Sequence, residues 1–519
     1  MSLFKKLSLT NIITLNKSFK TFSPQNASTI YALTSGSNQK CGVAVIRVSG
    51  KSTIEALLKL TKKTQNIYSP RKMYLRDLYH PLSNDKIDKS LVVWFKEPKS
   101  FTGEDVCEFH VHGGPAVVSS LLNALSTFDD FRYAEPGEFS RRAFVNGQMD
   151  LVEIEGLADL VNAETEMQRK QALSQMEGNL SKIYKEWRSS IIKCLANVEA
   201  YIDFNEEENV EDDVLDVVEV MVNNLIKSIL SHLNDNRRGE RLRNGVRVAI
   251  IGQPNAGKSS LLNAICKRPT AIVSPIPGTT RDIIESALNI GGYPIVLVDT
   301  AGLRETSDLI EIEGVKRAFS NIESSDVLII VIDVNQHLDS IMKKGFVNFL
   351  NDHLEEKFGS YVKSLRNEDT SFGFQKWLNG KEIIISLNKK DLLNQTQLSE
   401  LNEKLNLNGE QISLNRISCI NENNNDIDEL LNQLKSKVSN LCSNGMSESP
   451  SLTQQRHRDM LTKCLKSLES YLIKRKKEED LVLAAEELRL AVRWLGTITG
   501  HVSTEQILDV IFKDFCIGK

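Results

Sequence analysis

One stretch of the 519-residue sequence reads Gly252-Gln253-Pro254-Asn255-Ala256-Gly257-Lys258-Ser259. It fits the pattern GxxxxGK[ST] and lies between the apolar run 246–251 and a helical pattern that begins at Leu261. Glycines in such a loop let backbone N–H groups converge on phosphate oxygens at a helix N-terminus. The Lys258 side chain would then reach the β- and γ-phosphates, and the Ser259 hydroxyl would bind Mg²⁺. The stretch therefore predicts a nucleoside triphosphate site between a strand and a helix.

Further motifs follow in the order found in GTPases. Asp299-Thr300-Ala301-Gly302 closes a strand pattern and matches DxxG, which senses Mg²⁺ and the γ-phosphate. Asn388-Lys389-Lys390-Asp391 closes a later strand pattern and matches NKxD, and Ser418-Cys419 stands where a fifth guanine-contacting loop belongs. The aspartate of NKxD would reject adenine, because adenine would leave this buried acceptor unpaired. The motifs together identify GTP as the nucleotide. The expected GTP contacts are Asn255, Ala256, Gly257, Lys258, Ser259, Ser260, Thr279, Thr280, Asp299, Gly302, Asn388, Lys389, Asp391, Ser418 and Cys419.

The two switch segments predict an unusual way of positioning the attacking water. Leu303 follows DxxG, where many small GTPases carry the glutamine that orients this water. The first switch is expected at Gly278-Thr279-Thr280-Arg281-Asp282, with Thr280 as the second Mg²⁺ ligand. Hydrolysis must therefore position its water by another group.

Three kinds of domain are predicted from the strand and helix patterns. Apolar runs such as 42–48 and 91–95 favour strands of an α+β domain, whereas 150–242 has helical spacing and no proline before Pro254. From Val246 strands alternate with helices, which indicates a mainly parallel sheet. We thus expect a Ras-like α/β P-loop GTPase domain inserted in an all-α domain, after an α+β domain. The expected ranges are 27–143 for the α+β domain, 144–244 and 446–519 for the helical domain, and 245–445 for the GTPase domain, with a polar, irregular surface insertion at about 337–380.

Composition excludes several classes of protein. The chain has 64 Lys and Arg against 68 Asp and Glu, a net charge of -4, and its apolar runs are strand-sized. This disfavours disordered, collagen-like and integral membrane proteins, and proteins that coat nucleic acid non-specifically. The acidic run 203–216 favours a solvated helix start over a metal site.

The first 26 residues have a composition of their own. They contain lysines and serines among apolar residues and no acid, which is typical of an organelle transit peptide; a disordered basic tail is the alternative. Removing the four lysines of this segment leaves 60 basic residues against 68 acidic ones, or -8. An acidic protein that acts on RNA must hold it through local patches, such as 237–243 or 474–477, or through a partner, and we favour the partner.

The sequence resembles the bacterial and mitochondrial tRNA-modification GTPases of the TrmE (MnmE) type over nearly all of the chain after Thr29. The motifs that carry the resemblance, besides the GTPase motifs, are Phe101-Thr102-Gly103-Glu104-Asp105, His112-Gly113-Gly114-Pro115, Pro136-Gly137-Glu138-Phe139, Arg142-Ala143-Phe144, Gly278-Thr279-Thr280-Arg281-Asp282 and Phe515-Cys516-Ile517-Gly518-Lys519.

For the GTPase domain the resemblance implies a K⁺-stimulated mechanism in which K⁺ replaces an arginine finger. Two such domains pair across their nucleotides, and Glu311 orients the water, with Glu305 and Glu313 as neighbouring competitors. A solvated helix acid is the alternative interpretation of Glu311. The implied catalytic residues are Glu311, Lys258 and Thr280; the implied K⁺ ligands are Asn255, Ser274, Ile276 and Thr279; and the implied supports of the switches are Arg281, Asp282 and Arg304.

For the N-terminal domain the resemblance implies a tetrahydrofolate-binding module that supplies a one-carbon unit. The implied folate contacts are Arg47, Glu108, Gln148 and Lys519. The family usually has a basic residue where Gln148 stands, and Arg47 and Glu108 could instead form a structural ion pair. Cys516 is either catalytic or a packed thiol.

At the level of function the resemblance implies a GTPase of the mitochondrial matrix. It would form a homodimer and a heterotetramer-like complex with a flavin-dependent partner of the GidA (MnmG) type. The complex would build an aminomethyl-type group on C5 of the wobble uridine, U34, of tRNA. A mitochondrial ribosome-assembly GTPase is the alternative, but the sequence shows neither a KH-like pattern nor a second P-loop. A membrane-remodelling GTPase and a non-enzymatic scaffold fit less well.

Overall fold

The computed structural model describes two compact units, Met1–Ala158 with Gly496–Lys519 and Asp159–Leu495. The described residues are 28–35, 40–64, 67–204, 213–253, 255–268, 272–274, 285–299, 322–354, 380–404, 413–420, 425–442, 450–476, 481–502, 508, 511–512, 515 and 518. Among the described helices, none combines the length and apolar character needed to span a bilayer. The finer division into the four domain ranges given above stays a prediction.

The first unit is an α+β structure, as the sequence predicts. Its elements are β1 (Thr29–Leu33), β2 (Cys41–Ser49), α1 (Thr53–Thr61), β3 (Met73–Tyr79), β4 (Lys86–Phe95), β5 (Val106–Gly113), α2 (Pro115–Ser126), β6 (Phe131–Tyr133), α3 (Glu138–Val145) and most of α4 (Leu151–Asn162). The strands form one sheet in the order β3-β4-β5-β2-β1-β6. Alternate residues of β2 are buried, and Ile46 and Val48 pack with Leu57 of α1 and Leu121 of α2 in one apolar core. This core holds β2 and β5 side by side.

The second unit combines helices with a second sheet. Its elements are α5 (Glu166–Met176), α6 (Asn179–Phe204), α7 (Asp213–Leu233), α8 (Arg238–Asn244), β7 (Val246–Gly252), α9 (Lys258–Cys266), β8 (Ile272–Ser274), β9 (Glu285–Ile290), β10 (Tyr293–Asp299), β11 (Val327–Asp333), α10 (Val334–Lys344), α11 (Phe346–Leu354), β12 (Glu382–Asn388), α12 (Gln395–Lys404), β13 (Ser413–Arg416), α13 (Asp426–Cys442), α14 (Gln455–Lys476) and most of α15 (Leu481–Thr499). The helical patterns predicted for 150–242 and for the C-terminal part of the chain are confirmed in the described residues of these ranges, as far as Thr499.

The second sheet has the order β13-β12-β11-β7-β10-β9-β8. Its five strands from β13 to β10 are parallel, and β9 pairs antiparallel with β10. Every residue of β11 is buried, as expected of a central parallel strand that is covered on both faces. The predicted α/β domain is confirmed. Because parallel strands end at the same edge of a sheet, the ends of β7, β10, β11 and β12 bring their loops together.

The segment 337–380 differs from the sequence prediction. Its described part continues α10 and contains α11 rather than irregular chain. Leu338, Ile341, Phe349 and Leu350 lie in the core that covers one face of the second sheet. The predicted irregular character is therefore wrong as far as Leu354, because apolar residues recur at helical spacing among many polar ones. Residues 355–379 lie outside the described residues.

His232 gives the second unit a pH-dependent stability. Its ring lies edge-to-face against Trp187 at 5.4 Å, and burial lowers the pKa of His232 to about 4, with the neighbouring cations of Arg458 and Arg238 acting in the same direction. The unfolded chain therefore binds more protons between about pH 6.5 and 4. Neutral His232 therefore contributes fully to the free energy of unfolding above pH 6.5. This contribution decreases by up to about 3 kcal/mol as the pH falls to 4.

In His232→Phe we expect the free energy of unfolding to fall less between pH 6.5 and 4, because phenylalanine does not titrate. Denaturant unfolding between pH 4 and 8 measures it, with Tyr184→Phe as a control that alters the same cluster but leaves His232 in place. Equal pH dependence in His232→Phe and the unsubstituted protein would contradict the assignment.

Candidate functional site

The loop after β7 has the conformation of a phosphate cradle. The residues Asn255 and Gly257 adopt the left-handed backbone conformation, with φ of 62° and 99°. Helix α9 begins at Lys258, which is 9% exposed and donates from Nζ to the carbonyl oxygens of Gly252 at 2.9 Å and Gln253 at 2.8 Å. Ala256, within the loop, is buried. The hydroxyl-bearing residues Ser259 and Ser260 are exposed at the N-terminus of α9, where the helix dipole favours anions.

Asn388 ties this loop to the NKxD motif. Its Nδ2 donates to the Ala256 carbonyl oxygen at 2.8 Å. A Cβ atom on Gly257 would lie 2.1 Å from the same Nδ2, and one on Gly252 would lie 2.2 Å from the Val331 carbonyl oxygen. Only glycine permits these approaches. The phosphate loop and the NKxD motif, both predicted from the sequence, are therefore in direct contact.

Two aspartates that no sequence motif indicates hold the lysines of the NKxD motif, which we call the base motif. Lys389 Nζ donates to Asp333 Oδ2, and Lys390 Nζ donates to Asp426 Oδ1, both at 2.6 Å. Asp333 also caps α10 by accepting from two backbone N–H groups. Asp426 accepts from the Ser418 backbone N–H at 3.2 Å. An aspartate between a strand and a helix is a cap signal, which could have identified Asp333, but neither ion pair is visible in the sequence.

The two loops expected to contact guanine lie close together. Burial raises the pKa of the Cys419 thiol to about 11, and the nearby carboxylates of Asp391 and Asp426 add to the shift. Asp391 is exposed and lies two residues after Lys389, whose φ is 66°. Among the described residues, Asn388 Oδ1 and Ser418 Oγ are buried and have no hydrogen-bond partner. A carboxylate acceptor beside such polar atoms suits the edge of a purine.

Other predicted residues of this site are less fully described. Asp299 ends β10, and Ser274 ends β8. The remaining predicted residues of the switches lie outside the described residues, namely Ile276, Thr279, Thr280, Arg281, Asp282, Gly302, Arg304 and Glu311.

The first unit contains a second cluster of predicted residues, on β2 and β5. Arg47 and Glu108 are register partners and form an ion pair of 2.9 Å, with both side chains 18% exposed. The Arg47 guanidinium also lies 5.1 Å from the ring centroid of Phe101 and 5.6 Å from that of Phe139. Gln148 is exposed. A partly buried carboxylate, a guanidinium and the partly exposed ring of Phe101 suit a flat heterocycle with N–H donors, such as a pterin, whereas the Phe139 ring is fully buried behind them.

Motif residues of the first unit support this cluster. Arg142 is 3% exposed and pairs with Glu104 at 2.9 Å and with Glu138 at 3.0 Å. Removing one partner of such a buried pair costs about 3–5 kcal/mol. The loop that carries Phe101 is thus fixed to α3.

The C-terminal motif returns to the same sheet. A Cβ atom on Gly518 would lie 2.6 Å from the Leu33 carbonyl oxygen. Leu33 follows Ala32, which is the register partner of Arg47. Cys516 and Lys519 themselves lie outside the described residues.

Comparisons with known proteins agree with these motifs. The model of the MnmE helical domain matches residues 151–516, and the model of the GTP-binding protein TrmE N-terminus matches residues 29–148. The 5-taurinomethyluridine-[tRNA] synthase subunit GTPB3, mitochondrial, of Danio rerio is 48% identical over 95% of this chain and 93% of its own length. The human protein of that name is 42% identical over 96% and 94%. The tRNA modification GTPase MnmE of Rickettsia typhi is 42% identical over 95% of this chain and 100% of its own length.

Proposed function

The chain belongs to the TrmE/MnmE family, and from this membership we propose that it is the GTP-hydrolysing subunit of a mitochondrial complex that modifies the wobble uridine of tRNA. The observation that carries the proposal is the contact of Asn388 with the phosphate loop, which joins the two halves of a GTP site. The full-length similarity to relatives named for tRNA modification supplies the substrate class. The names of the vertebrate relatives favour taurine as the amine and the mitochondrion as the location.

In the proposed reaction, water attacks the γ-phosphate of GTP. Lys258 neutralises charge that develops on the phosphate oxygens, and Ser259 and Thr280 would hold Mg²⁺. Glu311 would orient the water in place of the missing glutamine at Leu303. Asp391 would accept the guanine N–H groups and so select GTP. Hydrolysis would open and close paired GTPase domains rather than activate the uridine.

A bound K⁺ would supply positive charge at the phosphates. Asn255 contributes an amide oxygen from an exposed, left-handed position in the phosphate loop. Carbonyl oxygens near Ser274 and Ile276, with Thr279, would complete an all-oxygen set, which is the donor chemistry that suits K⁺. Among the described residues, this set includes Asn255 and the backbone of Ser274, which ends β8.

GTP hydrolysis should be at least about tenfold faster in K⁺ than in Na⁺, since K⁺ does the work of an arginine finger. Asn255→Gly should remove most of this preference, because glycine keeps the left-handed backbone but lacks the amide oxygen. Steady-state phosphate release in the two salts measures both effects. Equal rates in K⁺ and Na⁺ for the unsubstituted protein would overturn the K⁺ proposal.

We also propose that the first unit binds a tetrahydrofolate derivative, which supplies the one-carbon unit of the new substituent. Glu108 would accept hydrogen bonds from the heterocycle, Arg47 would stay paired and oriented, and Lys519 would attract the folate carboxylates. The Arg47–Glu108 pair and the ring contacts of Arg47 support this assignment. The partner assignments remain proposals as well: a homodimer through the first unit and a flavin-dependent protein of the GidA type.

A further inference from the structure

Basic residues are concentrated in one part of the first unit. Residues 55–99 hold ten Lys and Arg against five Asp and Glu, whereas the whole chain has a net charge of -4. This segment contains β3, which is the outermost strand of its sheet. The charge asymmetry therefore falls on an exposed sheet edge.

Four lysines gather at one end of that edge. Lys86 pairs with Asp77 at 2.7 Å, and Lys86, then Lys89 and Lys63, lower the pKa of the Asp77 carboxyl. Lys62 Nζ lies 3.8 Å from the ring centroid of Tyr79, the last residue of β3. Three ammonium groups thus surround the Asp77 carboxylate, Asp88 also acts on Lys86, and a fourth lysine, Lys62, lies near Tyr79.

Two more basic residues lie at the other end of β3. Arg71 and Lys72 directly precede the strand and are exposed, and Arg71 donates to the Lys99 carbonyl oxygen at 2.9 Å. The seven residues of β3 separate the two groups by about 20–24 Å. A nucleic acid duplex presents on the order of ten phosphate charges over that length. We call the surface formed by Lys62, Lys63, Arg71, Lys72, Lys86 and Lys89 the basic edge.

The two basic runs identified in the sequence, 237–243 and 474–477, differ from the basic edge because several of their cations form ion pairs. Arg241 pairs with Asp326 and Arg243 with Asp159, each at 2.8 Å. In the second run Lys474 pairs with Glu487 at 2.8 Å, and Arg475 pairs with Asp216 and Glu219. These cations are already neutralised within the fold. By contrast, Lys62, Lys63, Lys72 and Lys89 have no carboxylate within ion-pair distance among the described residues.

We infer that the basic edge binds the phosphodiester backbone of tRNA. The inference rests on the proposed function, which makes tRNA the substrate of the complex. Exposed lysines without carboxylate partners release counterions when they approach phosphates, and this release supplies affinity without reading sequence. The edge thereby lets an acidic protein hold tRNA in addition to whatever its partner contributes.

The test compares two quadruple variants of the full-length chain. In the first, Lys62, Lys63, Lys72 and Lys89 are each replaced by alanine; in the control, Lys182, Lys193, Lys227 and Lys343 are replaced, which are exposed lysines of the second unit. Both variants lose four positive charges. Fluorescence anisotropy with a transcribed tRNA is recorded between 50 and about 250 mM KCl, and GTP hydrolysis is measured in parallel.

The edge variant should bind tRNA at least about tenfold more weakly, and the slope of log K against log salt should fall by about three to four. The control variant should bind as the unsubstituted chain does, and all three proteins should hydrolyse GTP equally. Equal tRNA affinity in the two variants, or no tRNA binding by the unsubstituted chain, overturns the inference. So does self-association of the edge variant at unchanged affinity, which would assign these lysines to protection of an edge strand. The proposed function fails separately, by absence of GTP hydrolysis or of uridine modification in the unsubstituted protein.

Discussion

Gly257→Ala is expected to weaken GTP binding by at least about 100-fold. The backbone of Gly257 has a φ of 99°, where an alanine is strained by about 1–2 kcal/mol. Its new Cβ would lie 2.1 Å from Asn388 Nδ2, which donates to the Ala256 carbonyl oxygen. The side chain of Asn388 or the loop itself must therefore move. Either movement separates the phosphate loop from the base motif, and both halves of the site lose their alignment.

Gly147→Ala is the matched control for this substitution. Gly147 also has a positive φ, of 69°, but, apart from its chain neighbours, no atom of the described residues lies within 4 Å of the Cβ that alanine would add. The control carries similar backbone strain in the first unit without the clash. Titration with a fluorescent GTP analogue measures affinity, and circular dichroism confirms folding. Near-normal GTP affinity in a folded Gly257→Ala protein would show that the loop does not bind the phosphates as described.

Asp391→Asn is expected to change the nucleotide specificity of the protein. The Asp391 carboxylate would accept two N–H groups of guanine, and hydrogen bonds to a charged group contribute about 1.5–3 kcal/mol each. Asparagine replaces one of these acceptors by a donor, so GTP affinity should fall about 100-fold or more. Xanthosine triphosphate presents a carbonyl where guanine has its amino group, and it should bind the variant better than it binds the unsubstituted protein.

Asp339→Asn provides the control, because Asp339 is an exposed aspartate of α10 and has no place in the proposed base contacts. Competition between GTP and xanthosine triphosphate gives the ratio of affinities for each protein. An unchanged ratio in Asp391→Asn would remove Asp391 from the base site.

The sequence predicts most of this architecture because its signals are local. The run from Val246 to Ile251 and the glycines that follow specify a strand, a turn and a helix between Val246 and Cys266. The helices between His337 and Leu354 are hard to recognise in the sequence because many polar side chains obscure the helical spacing of Leu338 and Ile341.

The parts of the site that could not be predicted depend on tertiary contacts. Asp426 is 36 residues from Lys390, and Asp333 is 56 residues from Lys389, so only the folded sheet brings each pair together. The pairing of Arg47 with Glu108 likewise follows from the register of β2 against β5. Sequence motifs identify the residues expected to bind the nucleotide, whereas the ion pairs that support them depend on how the strands are arranged in the sheet.

GTP hydrolysis by this chain should be required for modification of the wobble uridine in mitochondrial tRNA. The most direct measurement is nucleoside mass spectrometry of mitochondrial tRNA from cells that lack the gene and carry either the unsubstituted chain or Gly257→Ala. We predict that the 5-substituted uridine disappears without the gene, returns with the unsubstituted chain, and stays absent with Gly257→Ala. An unchanged level of the modified uridine in cells that lack the gene would contradict the account.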